Sequence, residues 1–171
     1  MRRNLVLMCA PVIFLFMACD EQENTNDETI DDGLPTDMPD DFAFSLAYGY
    51  EKANEINTYE NTYTKDLADY GDITIDFELT DEEMNFVYEQ LQQADILNTP
   101  GYVAENPCVE PYMENSISIT VNDETFVREW PSSNCDSNDE RLGMAVHTIH
   151  LEVVEPREEY QELPDPVGGY D

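Results

Sequence analysis

The sequence predicts an α+β domain: a mainly antiparallel sheet of about four strands with two helices on one face. Three observations carry that expectation. Short runs of strict apolar/polar alternation recur along the chain. Two S/T-x-x-E capping boxes each open a stretch of helical spacing. The order strand, strand, helix then occurs twice without any residue-level repeat.

Taken in order, Phe42, Phe44, Leu46 and Tyr48 alternate on one face of a half-buried strand. Residues 49–70 are rich in Asn, Thr and Tyr and show no clear period, so they read as a long loop or an irregular strand. Ile73, Ile75, Phe77 and Leu79 give the clearest alternation in the chain. Thr80-Asp81-Glu82-Glu83 follows with the capping-box spacing, and Met84, Val87, Tyr88 and Leu91 continue at helical intervals. After the breakers Pro100-Gly101, Pro107 and Pro111, alternation returns at Ile117, Ile119 and Val121. It resumes at Phe126, Arg128 and Trp130 across Asn122-Asp123-Glu124, which makes 116–130 a β-hairpin. Ser137-Asn138-Asp139-Glu140 forms the second box, and Leu142, Val146, Ile149 and Val153 space out a second helix that ends before Pro156. The tail from Leu163 has no period.

The first nineteen residues are an export signal. Arg2 and Arg3 precede an apolar run from Leu5 to Met17 that contains Pro11 and is too short to cross a hydrocarbon core of about 30 Å. The run ends at Phe16-Met17-Ala18-Cys19, which resembles the lipobox of bacterial lipoproteins, with Phe16 where the family usually carries Leu. The resemblance implies cleavage after Ala18, acylation of Cys19 and an extracytoplasmic domain held on the bacterial cell membrane. Each buried CH₂ contributes about 0.8 kcal/mol, so two or three chains on one residue are enough to hold it there. The alternative is a secretory signal cut near Ala18. Residues 1–18 are thus the signal peptide, and 19–41 the lipidated cysteine and an acidic tether too polar to offset its ordering entropy. Residues 42–171 are a single domain, which resembles uncharacterised small lipoprotein domains.

Charge narrows the partners. The chain holds 39 acidic and 7 basic residues, and removal of Arg2 and Arg3 leaves 39 against 5, a net of −34. Nucleic acid is excluded, because phosphate binding needs clustered Lys/Arg and the remaining Lys52, Lys65, Arg128, Arg141 and Arg157 are scattered. The charge itself suits solvation, divalent-cation binding or steering of a basic partner.

Once the signal is removed and Cys19 is acylated, Cys108 and Cys135 form an even pair in an oxidising compartment, so a disulfide is expected. The chain-entropy model gives about 3.5 kcal/mol for such a loop. The rival is zinc held by both thiolates with His147 and His150, which stand at i, i+3. No H-E-x-x-H, nucleophile elbow or phosphate loop is present. Residues 136–147 fail as a calcium loop, since Arg141 stands where Gly is needed and His147 where Glu is needed.

No catalytic, cofactor or metal residues are assigned. Tyrosines in polar company, Tyr48, Tyr50, Tyr59 and Tyr63, mark 48–70 as the expected binding surface, because Tyr offers large contact area at small entropy cost. The sheet face bearing Thr74, Asp76 and Glu78 is the second choice. The functional expectation is a non-enzymatic binding module for a protein or envelope component. Its alternatives are a metal-dependent hydrolase using acidic residues with His147 and His150, and an acidic surface protein for solvation or stress protection.

Overall fold

Six strands form one open antiparallel sheet in the computed structural model, in the order β4-β3-β2-β1-β5-β6. The structure describes residues 33–98, 113–131 and 137–169, apart from the side chains of 137–139. The strands are β1 (Ala43–Tyr48), β2 (Asn54–Asn57), β3 (Thr62–Asp66), β4 (Asp72–Asp76), β5 (Glu114–Val121) and β6 (Glu124–Pro131). The helices are α1 (Asp81–Gln93), α2 (Ser137–Ile149), which runs on into a π-helical turn over His150–Val154, and α3 (Glu158–Gln161). The α+β class and the antiparallel sheet agree with the sequence. The element count does not, since among the described residues six strands and three helices stand where four and two were expected.

The two additional strands come from 49–70, the segment without a period. Strand β2 buries only Ile56, and β3 sends Tyr63 and Lys65 inward. A lysine on the buried side destroys the apolar alternation by which such a strand is recognised. Its pairing is nevertheless regular, with Ile56 opposite Tyr63 and Thr64 opposite Thr74. Asn61, at φ 54°, supplies the left-handed residue that the β2–β3 turn needs.

Strand β1 lies between β2 and β5 and buries Phe44, Leu46 and Tyr48, while Ser45 and Ala47 face the other way. Thr80 caps α1 as expected. Its hydroxyl accepts from the Glu83 N–H at 3.3 Å, and the Glu83 carboxylate accepts from the Thr80 N–H at 2.8 Å. Helix α1 follows the edge strand β4 in the chain. The β5–β6 turn places Asn122 and Asp123 at φ 52° and 63°, the two positive values of a type I′ hairpin. Both N–H groups donate to the Asp41 carboxylate, at 2.9 and 2.6 Å, and hold its pKa below the usual range. The side chain of Ser137, which opens the second expected capping box, lies outside the described residues.

One core joins sheet and helices. Phe42, Phe44, Leu46, Ile117, Ile119 and Val121 pack with Val87, Tyr88 and Leu91 of α1 and with Leu142, Ala145 and Ile149 of α2. Leu34 and Met38 add to it, and the Pro35 carbonyl accepts from Tyr88 Oη at 2.7 Å and from Gln92 Nε2 at 2.6 Å. Residues 33–41, expected to belong to the tether, are therefore part of the domain, because two apolar side chains among the acids suffice to dock them. The tail also docks: the Asp69 N–H donates to Val167 O and the Val167 N–H to Leu67 O, at 3.1 and 3.3 Å. Among the described residues, no helix is long and apolar enough to cross a membrane.

Candidate functional site

The end of β1 begins the site. Tyr48 is its last residue, and Gly49, at φ 92°, turns the chain away where a Cβ would stand 2.8 Å from Asn54 Nδ2. Glu51 and Lys52 follow with φ of 49° and 60°, in a 3₁₀ turn over Tyr50–Lys52. Consecutive left-handed residues that are not glycine store strain, which persists where surrounding structure holds it. Here the Gly49 carbonyl accepts from the N–H groups of both Lys52 and Glu114, at 3.4 and 3.3 Å.

Behind this turn lies a pocket of about 440 Å³, a size ordinary for small-ligand sites. Its wall draws on the end of β1 (Tyr48), β3 (Lys65), the π-helical turn (His150), α3 (Tyr160) and the docked tail (Leu163, Asp165). Its apolar contribution includes Met113 and Pro166. The π-helical turn matters because a wide turn of this kind is frequent at functional sites, and it closes on the bond from the Glu155 N–H to His150 O at 3.0 Å.

A hydrogen-bonded chain runs into the wall. His150 Nε2 faces the Glu155 carboxylate at 3.5 Å, and His150 Nδ1 shares a hydrogen bond with Tyr48 Oη at 2.7 Å. Tyr48 Oη lies 3.3 Å from Tyr63 Oη, and Tyr63 Oη lies 3.5 Å from Asn54 Oδ1. Asn54 Oδ1 also accepts from the Asp66 N–H at 3.1 Å, which fixes the amide. Burial pushes the Tyr48 phenol well above its ordinary value, with the Tyr63 hydroxyl beside it adding to the effect. Burial likewise raises Tyr63 and Tyr160. The phenols are therefore neutral hydrogen-bonding groups near neutral pH.

Burial lowers the His150 pKa from its ordinary 6.5; Glu155 opposes this, while His147 and Lys65 add to it. The folded chain thus takes up this proton less readily than the unfolded chain, so its contribution to stability is complete above pH 6.5 and is lost as pH falls below that value. Chemical denaturation between pH 7.5 and 5 is expected to show this loss in the wild type and not in His150→Gln. A pH slope in the variant equal to that of the wild type would assign it to other groups, the carboxylates being separated from it because Glu83, lowered from 4.5, acts at lower pH.

Lys65 is the unusual member. It is only 6 % exposed, and its ammonium sits 4.4 Å from the centre of the Tyr160 ring. Lys52 pairs with Glu129 at 2.7 Å and Arg157 with Glu83 at 2.9 Å, but among the described residues no carboxylate pairs with Lys65.

The expected tyrosine surface is divided. Tyr48 and Tyr63 are buried and belong to this site, at 8 % and 0 % exposure, and Tyr50 stands in the adjoining 3₁₀ turn. Tyr59 is exposed and lies apart, its hydroxyl bonded to Ala43 O at 3.2 Å and 2.9 Å from Thr120 Oγ1. The four do not form one surface because β2 and β3 alternate, sending Tyr63 inward. On β4, Thr74 and Asp76 are exposed. His147 is exposed while His150 is turned into the wall, so the pair does not converge. No group of three or more potential metal ligands occurs among the described residues. Cys19, Cys108 and Cys135 lie outside them.

Lys65, Tyr160 and the tail escaped the sequence reading. Lys65 was one of five scattered basic residues, and Tyr48 and His150 are 102 positions apart. The available signal was a lysine between Tyr63 and Leu67 in an otherwise acidic chain. Compared with known proteins, the chain matches no family model and no curated sequence.

Proposed function

We propose that this chain is an extracytoplasmic lipoprotein, anchored to the bacterial cell membrane by lipid on Cys19, whose domain binds a protein or envelope component without turnover. The observation that carries the binding role is the pocket bounded by Lys65, Tyr48, His150, Tyr160 and the tail. Polar groups converge on it, and Met113, Leu163 and Pro166 contribute apolar surface.

The Glu155–His150–Tyr48 sequence has the connectivity of a carboxylate–imidazole–hydroxyl triad and so favours hydrolysis as the second reading. Its weakness is the nucleophile. Tyr48 is 8 % exposed, and burial strengthens its hold on the proton, whereas an activated nucleophile needs the reverse. Both ring nitrogens of His150 already face partners within the wall, which favours a positioning role. The acidic tether and surface serve solvation, and net charge steers a basic protein if one is the partner.

The anchor and the binding role are tested separately. Wild-type protein is expected in the detergent phase and Cys19→Ser in the aqueous phase; release of wild type without lipid mass would remove the anchor. Incubated with envelope extract, wild type is expected to capture a component that is recovered with unchanged mass, and Tyr160→Ala to lower recovery about tenfold, equivalent to about 1.4 kcal/mol. Recovery of a cleaved product, abolished by His150→Gln, would replace binding with hydrolysis.

A further inference from the structure

The geometry points to a ligand bearing a single carboxylate on an apolar or aromatic body, with Lys65 as the group that receives the carboxylate. This inference rests on the pocket being a binding site and adds the chemistry of what enters it.

A buried ammonium is costly unless paired, and it offers three donors and no acceptor. In the described structure Lys65 is offset by the face of Tyr160 at 4.4 Å and by no carboxylate. A ring face stabilises a cation without taking up its directional N–H donors. A protein with 39 acidic residues has abundant means of pairing a lysine internally. Yet Lys65 lines the pocket at 6 % exposure, with its charge available to what the pocket holds.

The surroundings set the ligand's charge and body. Asp66 and Asp165 share the lining, and the net charge near −34 repels anions at long range, so a polyanion or phosphate dianion is disfavoured. One cation among acids is matched by one carboxylate, which becomes attractive at contact distance. Met113, Leu163 and Pro166, with the Tyr160 ring, supply the surface against which an apolar body packs. The phenols of Tyr48 and Tyr160 stay protonated, burial raising both, and therefore add no negative charge to repel the carboxylate. A peptide C-terminus with an apolar last residue offers both parts of this chemistry, whereas a sugar acid offers the carboxylate alone.

The sequence permits a direct test because it contains just two lysines, Lys52 and Lys65. The lipidated mature chain, labelled with ¹³C,¹⁵N-lysine in detergent micelles, should show two lysine side-chain signals, with Lys65→Met identifying the one from Lys65. N-acetylphenylalanine and glucuronate are titrated against their neutral amides. At least one carboxylate is expected to shift the Lys65 signal and to bind at least tenfold more tightly than its amide, and which of them does so separates the peptide source from the sugar source. Lys65→Met should abolish that preference. If amides bind as well as carboxylates, or Lys65→Met retains the preference, the carboxylate assignment falls and the pocket reading stands. If no probe moves the Lys65 signal, the carboxylate assignment falls; if Tyr160→Ala also captures the same envelope component as wild type, the pocket reading falls with it. Should Lys65→Met fail to fold, Lys52→Arg identifies the Lys65 signal by elimination, and the comparison of acid with amide at that signal still decides.

Discussion

Phe44→Ala is expected to destabilise the domain by about 3–5 kcal/mol, the range for truncating a buried aromatic residue. Phe44 is fully buried in β1 and lies where β1 pairs with β2 on one side and β5 on the other. The loss combines transfer free energy with the cavity left by the ring, which stacks on Phe42 with centroids 5.7 Å apart. Because small domains hold only about 5–15 kcal/mol in total, the variant should unfold at far lower denaturant or escape expression. Val127→Ala, at a side chain 60 % exposed on β6, should fall within about 0.5 kcal/mol of wild type. Guanidinium titration of both checks the assignment of the core. Equal midpoints for the two would contradict it.

Tyr63→Ala should cost a comparable amount, about 3–5 kcal/mol, whereas Tyr59→Ala should cost about 1 kcal/mol or less. Tyr63 is fully buried against Phe77 and Tyr160, with ring centroids at 5.5 and 5.7 Å. Tyr63→Phe separates the hydroxyl from the ring. It removes the oxygen 3.3 Å from Tyr48 Oη and should cost about 1 kcal/mol. A pattern in which Tyr59 mattered more than Tyr63 would place the working surface on the open side of the sheet.

Much of the framework could be read from local signals. Phe42 to Tyr48 alternate because one face of β1 is buried, and Thr80 with Glu83 announces a helix start by a bond pattern confined to four residues. The 122–123 turn was legible because Asn and Asp tolerate positive φ. Strands β2 and β3 were hidden because β2 buries one apolar residue and β3 buries a lysine, so neither repeats an apolar residue at period two. That failure coincides with the candidate site. Lys65 violates the local rule for a buried strand position, and departures from such rules are expected where a protein binds or reacts. The joining of Lys65 to Tyr160 and of Tyr48 to His150 is a property of the tertiary fold. No spacing in the sequence encodes either contact, since β3, the π-helical turn and α3 meet only once the sheet and helices have packed.

Site-specific photo-crosslinking in envelope preparations tests the central claim most directly. A benzoylphenylalanine at position 113 replaces Met113, which lines the pocket and is 55 % exposed; a second at position 127 replaces Val127 on β6, outside the pocket lining. The account predicts one crosslinked envelope component from position 113, suppressed by Tyr160→Ala in the same chain, and none from position 127. Crosslinking to the same component from position 127 alone, or from position 113 undiminished by Tyr160→Ala, would contradict it.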